Sequence, residues 1–209
     1  MLVSMISKKM TVAMLMAIAL PSLSSASLVL PGHKLAMAQV GNQSVNRRAD
    51  DLLASANAKT LRNDNSASQL AQQAYDLYKQ NNNIKGQQQA LYTLGWSHLI
   101  QNNFDAAISA AQTSYSLLPK SVQGIEASSL LGLTYLFKNE PKQAVMSYQK
   151  GIDSAQQLRN PFALSDAYQS IELAYTSLGQ YQNSINALNN AIQVDQQHRG
   201  NSAPSPTFL

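Results

Sequence analysis

The chain has 209 residues, of which 44% are apolar and 12% charged, enough apolar material for a core and too little charge for a disordered body. It contains no cysteine, which excludes disulfide frameworks, thiolate metal sites and cysteine nucleophiles. The net charge of +4 comes mostly from Lys8, Lys9 and Lys34; beyond residue 38 twelve basic and eleven acidic side chains nearly cancel, which argues against binding nucleic acid through its phosphates.

The N-terminus has the order of a secretory signal. Lys8 and Lys9 precede the apolar stretch Met10 to Leu20, which Pro21 breaks. Ala36-Met37-Ala38 places small residues around a cleavage point after Ala38, and Ser24-Ser25-Ala26 is a second candidate. On this reading residues 1–38 are a signal peptide, 39–45 are a flexible new N-terminus, and the protein is exported to a periplasm or the extracellular space. The alternative is a membrane anchor that stays attached. Eleven apolar residues fall short of the ~20 needed to span a bilayer, although Ala26 to Leu30 would extend them past the proline.

From residue 46 onward Ala, Leu and Gln dominate, with 22 glutamines in the whole chain, and all three are good helix formers. Breaks fall at Asn81-Asn82-Asn83, Asn102-Asn103, Pro119-Lys120-Ser121, Asn139-Glu140-Pro141, Asn160-Pro161 and Leu178-Gly179-Gln180. Asn160 is the expected N-cap before Pro161, and Gly179 the expected left-handed residue past a helix end. These breaks cut the chain into four two-helix units, at about 46–83, 84–120, 121–160 and 161–198, followed by a Pro/Ser-rich tail, 199–209, expected to be disordered.

The units align. Ala90, Ala127 and Ala167 start a register in which Leu94, Leu131 and Ile171 coincide, then Gly95, Gly132 and Glu172, then His98, Tyr135 and Tyr175. In the second helices Ala107, Ala144 and Ser184 coincide, as do Ala111, Tyr148 and Leu188, and Ser114, Gly151 and Ala191; every set steps by 37 and then 40 residues. Ala67, Ala71, Ala74 and Leu77 precede Ala107, Ala111, Ser114 and Leu117 by 40, which marks a first unit whose opening helix, around residues 49–59, is degenerate. Gly95 opposite Ala107, and Gly132 opposite Ala144, predict close approach of the two helices in a unit. Glu172 and Ser184 break that pairing, and predict either a wider pair or a carboxylate that leans to solvent.

Leu94-Gly95-x-x-His98, Asn103-Phe104, Ala107, Ser114 and Pro119 resemble the tetratricopeptide-repeat pattern, as do Leu131-Gly132-x-x-Tyr135 with Ala144 and Tyr148, and Tyr175 with Gly179, Tyr181 and Ala191. The stride exceeds the family's usual spacing and is similar to the longer-helix bacterial variety. The resemblance implies an all-α fold, a right-handed superhelix (α-solenoid) of about four antiparallel helix pairs, and binding of another protein or peptide in a concave groove lined by first helices. The groove residues it implies are Gln89, Tyr92 and Trp96, then Ser129, Leu133 and Leu136, then Gln169, Leu173 and Thr176. They include no basic side chain, which disfavours the family's carboxylate-clamp mode and favours aromatic anchors with amide hydrogen bonds. Trp96, the only tryptophan, is the sharpest candidate; packing between adjacent first helices is its competing reading.

Nothing points to catalysis. His33 lies in the leader, His198 near an end, and His98 in a column of tyrosines; there is no His-Glu-x-x-His motif, no glycine-rich phosphate loop and no Gly-x-Ser-x-Gly elbow. The expectation is therefore a protein that is not an enzyme, holds no metal or small-molecule cofactor, and acts as an exported scaffold or assembly factor. A membrane-tethered module and an accessory or glycan-handling protein of the cell envelope are the alternatives. An apolar edge left open on the last repeat is a route to self-association.

Overall fold

A computed structural model describes residues 31–202. The described residues form eight helices and no strand: α1 Pro31–Thr60, α2 Ala67–Gln80, α3 Ile84–Ile100, α4 Phe104–Leu117, α5 Val122–Phe137, α6 Pro141–Gln157, α7 Pro161–Ser177 and α8 Tyr181–Ser202. The chain divides into two compact units, Met1–Ala38 and Gln39–Leu209. Of the first, only residues from 31 onward are described, as the start of α1, so the basic start, the apolar stretch and the second cleavage candidate lie outside the described part. No described helix is long and apolar enough to cross a membrane. Residues 39–45, expected to be flexible, are helical, and α8 runs to Ser202, four residues into the expected tail.

Within the second unit each helix packs on its neighbours in sequence, and first helices also meet first helices, α3 with α5 and α5 with α7. This is the stacking of an α-solenoid built from four antiparallel pairs, α1–α2 to α7–α8.

Local chemistry sets the pairs. Asn82, Asn102, Asn139, Arg159 and Gly179 take positive φ, from 51° to 70°, just past the ends of α2, α3, α5, α6 and α7. In each case the next residue's N–H reaches back to a carbonyl five residues earlier, as in Asn103 to His98 at 2.8 Å and Glu140 to Tyr135 at 2.8 Å. These are Schellman closures, and asparagine recurs there because it tolerates the left-handed conformation. First helices also begin alike. Asn83, Ser121 and Asn160 accept the N–H of Gly86, Gly124 and Ala163 at 3.0, 2.9 and 3.1 Å, which caps α3, α5 and α7.

The link from α4 to α5 is the exception, with no positive-φ residue. It folds back over the start of α5 so closely that a Cβ on Gly124 would lie 2.5 Å from the Leu118 and Pro119 carbonyl oxygens. Backbone cannot yield as a side chain does, so Gly124→Ala is expected to cost about 2 kcal/mol despite alanine's better helix propensity. Urea unfolding of the two proteins checks this.

The sequence register survives in space. Ala90, Ala127 and Ala167 are buried, as are Leu94, Leu131 and Ile171, while His98, Tyr135 and Tyr175 are all half-buried. Two details differ. The space beside Gly132 is filled by the Tyr148 ring, whose carbons lie 2.7 Å from a notional Cβ, rather than by close approach to Ala144. Glu172 does not simply lean to solvent: it is half-buried, and its Oε1 accepts hydrogen bonds from Ser184 of α8 at 2.9 Å and from Thr176 at 2.8 Å. A carboxylate with two hydroxyl donors thus stands in the column that holds Gly95 and Gly132 in the earlier pairs. The buried apolar side chains form four clusters in chain order, around Tyr78, Leu94, Leu130 and Ile171.

Candidate functional site

The nine groove residues all sit on α3, α5 and α7, and none is fully buried. They divide by surroundings. Gln89, Tyr92 and Trp96 meet residues of α1 and α5 around two adjoining recesses. Ser129, Leu133, Leu136, Gln169, Leu173 and Thr176 line neither of these. Leu133 and Leu136 lean against the core clusters, Leu173 stays 52% exposed, and the Thr176 hydroxyl is turned to Glu172 and Ser184.

The first recess, about 420 Å³, is walled by Thr60, Leu61, Tyr92, Trp96 and Ile100. Its apolar character follows from α3's phase, because Tyr92, Trp96 and Ile100 stand four apart on one stripe. Tyr92 and Trp96 meet edge to face, with ring centroids 6.3 Å apart and planes at 83°. Both also pack against the cluster around Leu99 and Leu130, so the competing readings of Trp96 coexist: one part of the side chain holds helices together and another faces the recess.

The second recess, about 510 Å³, is lined by Asp50, Asn57, Gln89, Tyr92, Gln123 and Glu126 among others. Asn57 and Thr93 belong to both recesses, and the Thr93 hydroxyl donates to Asn57 Oδ1 at 2.7 Å, which ties α3 to α1 between them. Asp50 is held from below, since the buried Tyr78 hydroxyl donates to its Oδ1 at 2.5 Å. Burial pushes the Glu126 carboxyl above its ordinary pKa, and burial then Glu126's charge push the Tyr92 hydroxyl up. No basic side chain lines either recess. The result is an apolar cup beside a shelf bearing two carboxylates and three amides, a surface that receives an apolar side chain and hydrogen-bond donors together.

The sequence reading missed Asp50 and Glu126. Asp50 lies in the degenerate first helix, outside the aligned columns. Glu126 stands 37 residues after Gln89, and that offset was the available signal. His98 behaves as the packing residue its column implied: it is half-buried, its Nδ1 is buried without a hydrogen-bond partner, and desolvation holds its pKa below the ordinary value.

The tetratricopeptide-repeat family model matches residues 125–158 and 164–198. Among solved structures, aspartyl phosphate phosphatase F from Bacillus subtilis is similar, with a TM-score of 0.65, 18% identity, and coverage of 73% of this chain and 41% of that one. The present chain thus spans about two-fifths of the phosphatase's length. The MamA protein is also similar, with a TM-score of 0.50, 21% identity, and coverage of 78% of this chain and 97% of that one. At such identities both likenesses are of fold alone. No curated protein matches the sequence. The family matches fall on the α5–α6 and α7–α8 pairs, so the chain carries tetratricopeptide repeats within an α-solenoid of four helix pairs.

Proposed function

We propose that this is an exported protein of the longer-helix repeat variety that binds another protein in the first-helix groove and serves an envelope complex as a scaffold or assembly factor, without catalysing a reaction. The observation that carries the reading is the pair of adjoining recesses between α1, α3 and α5, formed around Gln89, Tyr92 and Trp96. Contiguous apolar surface with a polar rim and an exposed aromatic edge is the usual composition of a binding hot spot. The bound segment offers an apolar side chain to the cup at Leu61, Trp96 and Ile100. It also offers N–H donors or a cation to Asp50 and Glu126. The basic start, apolar stretch and Ala36-Met37-Ala38 support export.

The test is a crosslinking pull-down of the exported protein from its own host, with intact-mass measurement on the same material. The reading expects one polypeptide recovered specifically and a mature chain that begins at Gln39. A mass that retains residues 1–38 instead means the membrane-tethered version.

A second reading, a glycan-handling accessory, draws on a different surface. Tyr168, Tyr175, Asn183, Asn186 and Asn190 line a crevice of about 160 Å³ between α6, α7 and α8, with the aromatic and amide chemistry that suits sugars. Retention of cell-wall fragments with no polypeptide recovered would favour it.

A further inference from the structure

The last helix carries, in the open, a face that earlier repeats keep covered. Ile185, Leu188 and Ile192 of α8 stand 40 residues after Val145, Tyr148 and Ile152 of α6, and 77 after Ile108, Ala111 and Tyr115 of α4. In α6, Tyr148 and Ile152 are only 2% and 3% exposed, because Ala167, Ile171 and Ala174 of α7 pack over them. In α4, Ala111 is buried against Leu130 and Leu131 of α5. On α8 the exposures rise to 51% for Ile185, 40% for Leu188 and 52% for Ile192, with Tyr181, one turn earlier, at 67%. Steps of four, three and four put these side chains on a single stripe.

We propose that this stripe pairs two copies of the chain, α8 against α8, antiparallel about a two-fold axis that passes between residues 185 and 188. The sequence around the stripe permits such self-pairing, in which the same patch of both copies meets and each contact occurs twice. No charged side chain occurs from Tyr181 to Val194, so closure of the pair sets no like charges against each other. The flanking residues are amides, Gln182, Asn186 and Asn189 among them, which can hydrogen-bond across a rim. Under the proposed axis Ile185 meets Leu188 of the second copy, and Tyr181 meets Ile192.

The competing arrangement, head to tail, would lay α1 of one copy over α8 of the next. The exposed side of α1 over residues 41–60 disfavours it, for among the side chains described there it carries Arg47, Arg48, Asp50, Asp51 and Asn57 and no exposed large apolar residue. Pressing those charges onto the stripe would strip their water without supplying partners. Four apolar side chains per copy make an interface below about 1,200 Å² in total, so pairing is reversible and concentration-dependent.

The test is the solution mass of the full chain by sedimentation equilibrium across the micromolar range. It is applied to the parent, to Ile185→Glu, to Leu188→Lys and to an equimolar mixture of these two. Both substitutions fall at positions already open to solvent, and far-ultraviolet dichroism checks that helix content is kept. The apparent mass of the parent is expected to double as concentration rises. Each single variant should remain at one chain mass. The mixture should regain the doubled mass, because the antiparallel arrangement sets the carboxylate introduced in one variant beside the ammonium introduced in the other. A parent that stays at one chain mass overturns the proposal, as it would if a tail, a leader or a foreign helix covers the stripe. Doubling that persists in both single variants overturns it too, by placing the contact elsewhere. Failure of the mixture to recover overturns the antiparallel pairing.

Discussion

Replacing Gln88 with leucine should lower the unfolding free energy by about 3 kcal/mol, although leucine is the more apolar residue and the site is fully buried. The side-chain amide of Gln88 donates to the Ser114 carbonyl at 3.0 Å and the Leu118 carbonyl at 3.2 Å, and its Oε1 accepts from Ser121 at 3.4 Å. The two carbonyls belong to the end of α4, where helix geometry supplies no partner of its own. Ser114 returns the contact, its hydroxyl donating to the Gln88 carbonyl at 3.0 Å, so one side chain fastens α3 to the α4–α5 link. Leucine would leave the Ser114 carbonyl dry and unpaired, at about 1–3 kcal/mol, and would take from the Leu118 carbonyl one of its two donors, the other being the Ser121 hydroxyl at 2.7 Å; the loss exceeds any gain from apolar burial at a site already filled. Gln89→Leu is the internal control: its side chain is exposed, so its effect should stay within about 0.5 kcal/mol. Chemical denaturation of the three proteins decides it, and equal losses at the two positions would contradict the assignment.

Truncating both aromatic residues of the groove, Tyr92→Ala with Trp96→Ala, should weaken capture of the partner by about a hundredfold or more, since buried aromatic anchors commonly contribute about 2 kcal/mol or more each. The same change will also lower the melting temperature, because both rings pack on the cluster around Leu99 and Leu130. Binding must therefore be compared at a temperature where dichroism shows the variant folded. Met146→Ala supplies the contrast: that side chain is 66% exposed on α6, away from both recesses, and its loss should leave capture unchanged. Undiminished recovery by the folded double variant would remove Tyr92 and Trp96 from the contact.

Most of the architecture could be read from the sequence because the small buried residues repeat in register. Ala107 and Ala144 mark where second helices pack, and asparagine at the helix ends marks where the chain reverses. Arg159 shows the limit of such reading: it takes the same left-handed turn as Asn139, with φ of 51° against 62°, and nothing in its residue type announces it. Three successive glutamines show another. Gln87 and Gln88 are buried while Gln89 is exposed, and apolar periodicity is blind to all three. The aligned column would have separated them, since Gln88 falls in register with Ile125 and Ser165, both buried. The lining of the two recesses was legible in part for a related reason. Tyr92 and Trp96 announce themselves by size, whereas Asp50 and Glu126 gain their significance from α1 and α5 flanking α3, which no single helix records. Leu133 and Leu136 also lean on the core clusters, because a first helix touches the next pair and part of their bulk packs there.

The division of the buried side chains into four clusters in series has a consequence for how this molecule bears load. Each cluster draws on adjoining helices only, so Tyr78 and Ile171 share no neighbour and neither feels the other's loss. A segment wedged against Trp96 can spread the helices on either side of it while the stretch from α6 onward stays as it was. Such a series of helix pairs gives way one joint at a time.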